Sequence, residues 1–383
     1  MASVNAVYLD HNATTPPVPE AVEAMLEAMA LIGANPSSVH GFGREARKRI
    51  EAARQQVADL VGASPEGVFF TSGGTEANNT VIEGAERGRV LFTATEHAAV
   101  LKTALLKTRS PEIIAVDDQG VIDLAALETL LKAKDEPSLV CVMAANNETG
   151  VLQPIAEVAA LAHRYGALVH CDAVQAAGKI PVDAVAWGVD YLTLSAHKLG
   201  GPQGMGAVIR IGDAPLRGML TGGGQERGMR AGTENVAGIV GFGVAAQLAR
   251  ERQPEKAARM SQMRDRLEAK LIEIAPQTKI FSGTAPRLPN TSNFTLAGVR
   301  SDTQVMALDM EGVAVSAGSA CSAGRVEPSH VLDAMGVDPD EAITAIRISL
   351  GWNSRDEDVD RFLDVWGSLR GRAETDVKVK EIS

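Results

Sequence analysis

Seven short apolar runs recur between positions 68 and 211: Val68-Phe-Phe70, Val90-Leu-Phe-Thr93, Ile113-Ile-Ala-Val116, Leu139-Val-Cys-Val-Met143, Ala167-Leu-Val-His170, Tyr191-Leu-Thr-Leu194 and Ala207-Val-Ile-Arg-Ile211. Runs this short and this apolar read as strands buried on both faces. Helical segments lie between most of them, and that alternation leaves a chain few options. It predicts an α/β fold with a mostly parallel sheet covered by helices on both sides. In such sheets ligands gather outside the strand ends, so the polar residues that close each run are where function is sought.

The chain has 383 residues, 45% of them hydrophobic and 22% charged, an ordinary globular composition with room for two cores. Beyond about residue 278 the pattern shifts to shorter strands and helices, which predicts a smaller α+β domain. We expect a large domain over 15–250 and a small one built from 1–14 and 251–383, with a helix carrying apolar Val22, Met25, Leu26 and Met29, an amphipathic helix from about Arg44 to Val61 and a long helical tract near 235–274. The net charge of −11 argues against nucleic acid or an anionic membrane as the main partner. The most apolar window, 236–249, is too short and too glycine-broken to span a membrane. No secretory signal pattern opens the chain, so a cytoplasmic protein is expected. Three cysteines, Cys141, Cys171 and Cys321, make neither a disulfide framework nor a close metal pair, and no resident metal is expected.

Tyr191-Leu-Thr-Leu194 runs into Ser195, His197 and Lys198 and then a glycine-rich turn. A lysine shielded at a strand end loses its proton easily and can form a Schiff base with an aldehyde cofactor. A lone lysine in this position is usually just solvated, but other strand ends supply what pyridoxal 5'-phosphate needs. Asp172 closes a buried strand, where a carboxylate must be paired; a protonated pyridine nitrogen is one partner and a helix cap the alternative. Gln175 could reach the phenolic oxygen. Gly73, Gly74 and Thr75 join a strand to a helix, a phosphate cradle or an ordinary glycine turn. His97 could stack on a ring and move protons, or be structural. Asn147 could contact the ring oxygen or a substrate carboxylate. Glycine-rich 221–235 brings two arginines and Thr233 near an anion. Arg347, on an otherwise apolar strand, suits a carboxylate substrate or a structural salt bridge.

Gly41-Phe-Gly-Arg-Glu-Ala46 and Gly241-Phe-Gly-Val-Ala-Ala246 match a loose dinucleotide pattern. Neither opens a βαβ unit, so neither indicates a nicotinamide site. Cys141 and Cys171 sit in apolar strands and read as inert. Cys321 lies among small residues without apolar periodicity, which predicts a mobile, wet loop whose thiol can ionise and reach other groups.

Taken in order, Tyr8-Leu-Asp-His-Asn-Ala-Thr-Thr-Pro16, Thr71-Ser-Gly-Gly-Thr-Glu-Ala-Asn-Asn79, Asn147-Glu-Thr-Gly150, Asp172-Ala-Val-Gln175, Ser195-Ala-His-Lys198, Gly222 through Asn235, Gly318-Ser-Ala-Cys-Ser322 and Arg347-Ile-Ser-Leu-Gly351 closely resemble the NifS/IscS-type cysteine desulfurases of fold type I. The nitrogen-fixation branch looks nearest. The resemblance implies that Lys198 carries the cofactor, Asp172 pairs with its ring nitrogen and His97 stacks on it. Gln175 and Asn147 would lie around its oxygen and the substrate, and Arg347 would hold the substrate carboxylate. Gly74, Thr75, Ser195 and His197 would bind phosphate, joined by Thr233 from the second subunit of a homodimer. Cys321 would accept sulfur from L-cysteine, ligate a metal cluster at most transiently, and pass sulfur to an iron–sulfur scaffold protein. Selenocysteine lyase and aminotransferase activities on the same fold are the alternatives, as is a catalytically dead protein that only presents a surface.

Overall fold

The computed structural model describes residues 6–33, 35–107, 112–317 and 329–382, with side chains as far as 371. The described residues form eleven strands: β1 (Val7–Tyr8), β2 (Val68–Thr71), β3 (Arg89–Thr93), β4 (Glu112–Ile114), β5 (Ser138–Met143), β6 (Leu168–Asp172), β7 (Tyr191–Ser195), β8 (Gly206–Arg210), β9 (Thr291–Thr295), β10 (Val313–Ala314) and β11 (Ala345–Ser349). Seven of them make one sheet in the order β2-β8-β7-β6-β5-β3-β4. Only β8 runs against its neighbours. The mostly parallel sheet that the alternation predicts is therefore present. Every residue of β2, β3, β5 and β7 is buried, as strands sandwiched between helices require.

Local chemistry moves two boundaries. The run at 113–116 ends early, because Asp117 Oδ1 accepts from the main-chain N–H groups of Gln119 and Val121 and turns the chain; Val116 keeps only an isolated bridge to Ile122. Helix Gly41–Leu60 starts before the expected Arg44, because the His40 ring accepts from Gly43 N at 3.2 Å and caps it. Helix Pro19–Met29 forms as its apolar periodicity predicts. Its buried residues are Ala21 and Ala28, while Leu26 (62% exposed) and Met29 (69%) point outward.

A single helix, Val236–Ile274, ties two cores together. Ile239, Phe242 and Ala246 pack on the sheet. Met260, Met263, Leu267 and Leu271 pack on a second core with Leu9, Ile346, Ile348 and an edge-to-face cluster of Phe294, Phe362 and Trp366. There β11 lies antiparallel to β9, and β1 parallel to β10. Beyond β1 the chain bridges at Asp10 to Ser349 and then crosses to the strand ends of the large sheet. That crossing brings residues 10–15 against the residues that close β6 and β7.

Candidate active site

Lys198 ends the short 3-10 turn Ala196–Lys198 that follows β7. Its Nζ donates to the carbonyl oxygens of Asn12 (2.6 Å) and Ala13 (2.7 Å). Burial, helped by the Arg347 charge, lowers its pKa from 10.5 to about 8, against the opposing pull of Asp10 and Asp172. Asp172, at the end of β6, is buried and accepts from Asn78 Nδ2 at 2.7 Å and from Val174 N at 2.9 Å. Asn78 is in turn oriented by Thr193 on β7, which donates to its Oδ1. Among the described residues no cation forms an ion pair with Asp172.

Beside these lies a cradle made by close backbone approach. Gly73 has φ 156°, a conformation that side chains resist. A Cβ on Gly206 of β8 would sit 2.5 Å from the Gly73 carbonyl carbon. One on Gly74 would meet Ser195 Cβ at 3.4 Å, so Ser195 abuts the first turn of helix Gly74–Gly84. Thr75 is exposed on that turn. His197 Nδ1 bonds Thr14 Oγ1 at 3.1 Å, and burial, with the Lys198 charge, lowers its pKa to about 4. Its imidazole is therefore neutral at ordinary pH. The N-terminus of helix Gly74–Gly84, with Ser195 against it, offers what an anion would require.

The opposite wall is Arg347, 4% exposed at the centre of β11. Nη2 donates to Asp10 Oδ1 at 2.5 Å and Nη1 to the Asn147 carbonyl at 2.9 Å. The structural salt bridge is thus real, but Nε is buried without a partner among the described residues. An orphaned guanidinium N–H of this kind costs about 1–3 kcal/mol until something accepts from it. His97 follows β3; its Nδ1 accepts from Ala99 N at 3.1 Å, which leaves the proton of the neutral ring on Nε2. Solvent reaches the ring, yet desolvation still outweighs the pull of Asp172 and holds its pKa below the ordinary value.

Lys198, Asp172, His97, Ser195, His197, Gly74 and Arg347 therefore share one region, with the Asn147 carbonyl. Gln175 is there too, but engaged: Nε2 donates to Asn12 O (2.9 Å), and Oε1 accepts from Lys179 Nζ (2.6 Å). Thr233 is exposed in 222–235, and none of its described contacts reaches Lys198. That segment is held instead by a buried Arg54–Glu226 pair and by Arg230 on Glu76. Cys321 lies outside the described residues. Cys141 and Cys171 are fully buried, and burial raises both thiols well above their usual pKa. Asn12, Lys179, Asp10 and Asn78 were not singled out as site residues from sequence. Only the motifs around Asp10, Asn12 and Asn78 hinted at them, and a lysine between Gly178 and Ile180 carries no signal of burial.

An amine with a pKa near 8, a buried carboxylate awaiting a cation and an anion cradle form a donor set that fits a phosphorylated aromatic aldehyde with a basic ring nitrogen. Comparison with known proteins points the same way. The family model for aminotransferase class-V matches residues 7–362. A cysteine desulfurase of Gluconacetobacter diazotrophicus is 44% identical over 94% of this chain and 92% of its own length. A NifS-like protein from Rickettsia africae superposes with a TM-score of 0.89 at 36% identity, covering 95% of this chain and 99% of the other. The structure of SspA in complex with cysteine aligns at 0.78 and 32% identity over 90% and 98% of the two chains.

Proposed function

Because the chain belongs to the aminotransferase class-V family, we propose that it is an L-cysteine desulfurase that uses pyridoxal 5'-phosphate, forms L-alanine and keeps the sulfur as a persulfide on Cys321. The observation that carries the reading is the proximity of Lys198, Asp172 and Arg347, with the Gly74–Ser195 cradle beside them, in a chain whose relatives are cysteine desulfurases.

When bound, the cofactor supplies an electron sink. Lys198 would hold it, and Gly74, Thr75, Ser195 and His197 would take its phosphate. Asp172 would keep a proton on its ring nitrogen, whose positive charge the buried carboxylate lacks. Arg347 binds the substrate carboxylate through its free Nε edge, with Asn147 beside it. Lys198 Nζ, with a pKa near 8, can give up and take back a proton near neutrality, as a shuttle at the substrate carbon must. His97 presents Nε2–H as a second donor. The Cys321 thiolate attacks the substrate sulfur: an S–S bond forms as the C–S bond breaks. The electron pair of that C–S bond stays with carbon, which is protonated to the methyl group of alanine.

The neighbours of Cys321 support its reach. Ser316 and Arg347 exchange both main-chain hydrogen bonds, at 2.7 and 3.2 Å, and Ser329 Oγ donates to Glu148, next to Asn147. Cys321 is five positions beyond Ser316, a length of chain that reaches at most ~18 Å. A homodimer would cover the outward Leu26 and Met29 and let Thr233 of one subunit reach the other's phosphate site. An iron–sulfur scaffold protein is the sulfur acceptor this reading implies. The test is to incubate purified, cofactor-loaded protein with L-cysteine and a reductant. Equal amounts of alanine and sulfide are expected; transfer of the amino group to a 2-oxo acid without sulfide would refute the proposal.

A further inference from the structure

Lys179 is a second buried lysine beside Lys198, and the reaction as derived leaves it without a task. It follows the turn after β6, and its Nζ makes two hydrogen bonds: to Gln175 Oε1 at 2.6 Å and to Asn12 Oδ1 at 2.8 Å. No carboxylate pairs with it among the described residues. The charged and titratable groups that face it are Lys198, Arg347 and His11. Burial lowers its pKa well below 10.5, with Lys198 and Arg347 acting in the same direction. Both of these hydrogen bonds are donated by the lysine, one to each side-chain oxygen.

Those two bonds have different consequences. Asn12 is held from several sides: Asn290 Nδ2 also donates to its Oδ1, and its own Nδ2 donates to Thr291 Oγ1 and the Asn147 carbonyl. Gln175 has no such redundancy. Its Oε1 takes the Lys179 bond, and its Nε2 donates to Asn12 O, the carbonyl that also accepts from Lys198 Nζ. The lysine, together with the Asn12 carbonyl, therefore sets which end of the amide faces the active lysine. Reversed, Gln175 would present a carbonyl oxygen to the Asn12 carbonyl and to any anionic oxygen next to Lys198, and both contacts would be repulsive.

We propose that Lys179 is a positioning residue: by donating to Gln175 Oε1 it fixes that amide so that Nε2 faces Lys198 and the cofactor oxygen expected there. The inference rests on the cofactor reading above. A donor toward an oxygen that carries negative charge stabilises the deprotonated form, so losing it raises the pH at which the bound cofactor's visible absorption changes.

The experiment is a pH titration of that absorption in cofactor-loaded protein, in Lys179→Met, Gln175→Ala and the double variant. Each single variant should raise the half-point by about one pH unit, the worth of one hydrogen bond to a charged group. The double variant should move no further than Gln175→Ala alone, because one residue acts through the other. An unmoved half-point in Lys179→Met, or a double variant that shifts by the sum of the singles, overturns the proposal. Where Lys179→Met does not fold, Lys179→Gln keeps a donor of similar reach. Its half-point must stay near that of the unmodified protein, and a shift as large as that of Gln175→Ala again overturns the proposal. Failure of the unmodified protein to show any cofactor absorption would instead bring down the cofactor reading itself, so the two failures are distinguishable.

Discussion

Lys198 must lose its proton before it can add to an aldehyde, and its surroundings set how readily it does so. Burial, aided by Arg347, brings its pKa to about 8. At pH 7.5 about a quarter of such an amine is neutral, against about one part in a thousand of an ordinary lysine, an advantage of roughly 200-fold. Cofactor-free protein mixed with pyridoxal phosphate should therefore gain its visible absorption at a rate that climbs with pH and levels off above about 8, once corrected for the cofactor's own titration with a simple amine. Arg347→Met removes the largest charge that lowers this pKa and leaves Asp10, which raises it, unpaired. Both effects move the half-point up. Asp172→Asn removes another charge that favours the ammonium form and should move it down. A rate still climbing to a half-point near 10 in the unmodified protein, or a downward move in Arg347→Met, would refute the electrostatic account.

Cys321→Ala should keep the visible absorption of the bound cofactor but release no sulfide from L-cysteine and a reductant; a fully active variant would exclude Cys321 as the sulfur acceptor. Arg54→Met strands the Glu226 carboxylate, which is 5% exposed and, among the described residues, would keep only Phe70 N as a partner. Equilibrium urea unfolding should show a loss of about 3–5 kcal/mol, and a loss under 1 kcal/mol would contradict the role of this pair. Thr233→Val should speed cofactor loss in a dialysis assay, and in mixed dimers with Lys198→Ala it should do so only when placed on the subunit that lacks the lysine.

What could be read from the sequence follows from how local each signal is. The strands declared themselves because β5 and β7 are mostly apolar and buried throughout, and Lys198 and Asp172 stood out because each follows or closes such a run. The two ends of Gln175 could not be read, since its partners come from Asn12 and Lys179, and only the folded chain brings residue 12 to residues 175–179. Arg347 was legible as a cation among apolar residues, but its Asp10 partner, 337 residues away, was not. Val22, Leu26 and Met29 were legible as one stripe of a helix, and the helix forms with that stripe outward, because hydrophobic periodicity reports that a face wants covering and not which chain covers it. The early start of helix Gly41–Leu60 depends on a histidine cap, a less common choice than serine or aspartate.

The most direct test is intact-protein mass spectrometry of the cofactor-loaded enzyme after one equivalent of L-cysteine, with no reductant present, followed by peptide mapping. The account predicts a gain of one sulfur atom on the peptide that carries Cys321, matched by one alanine in solution. Alanine formed with no sulfur on the protein, or sulfur found on the buried Cys141 or Cys171 instead, would contradict it.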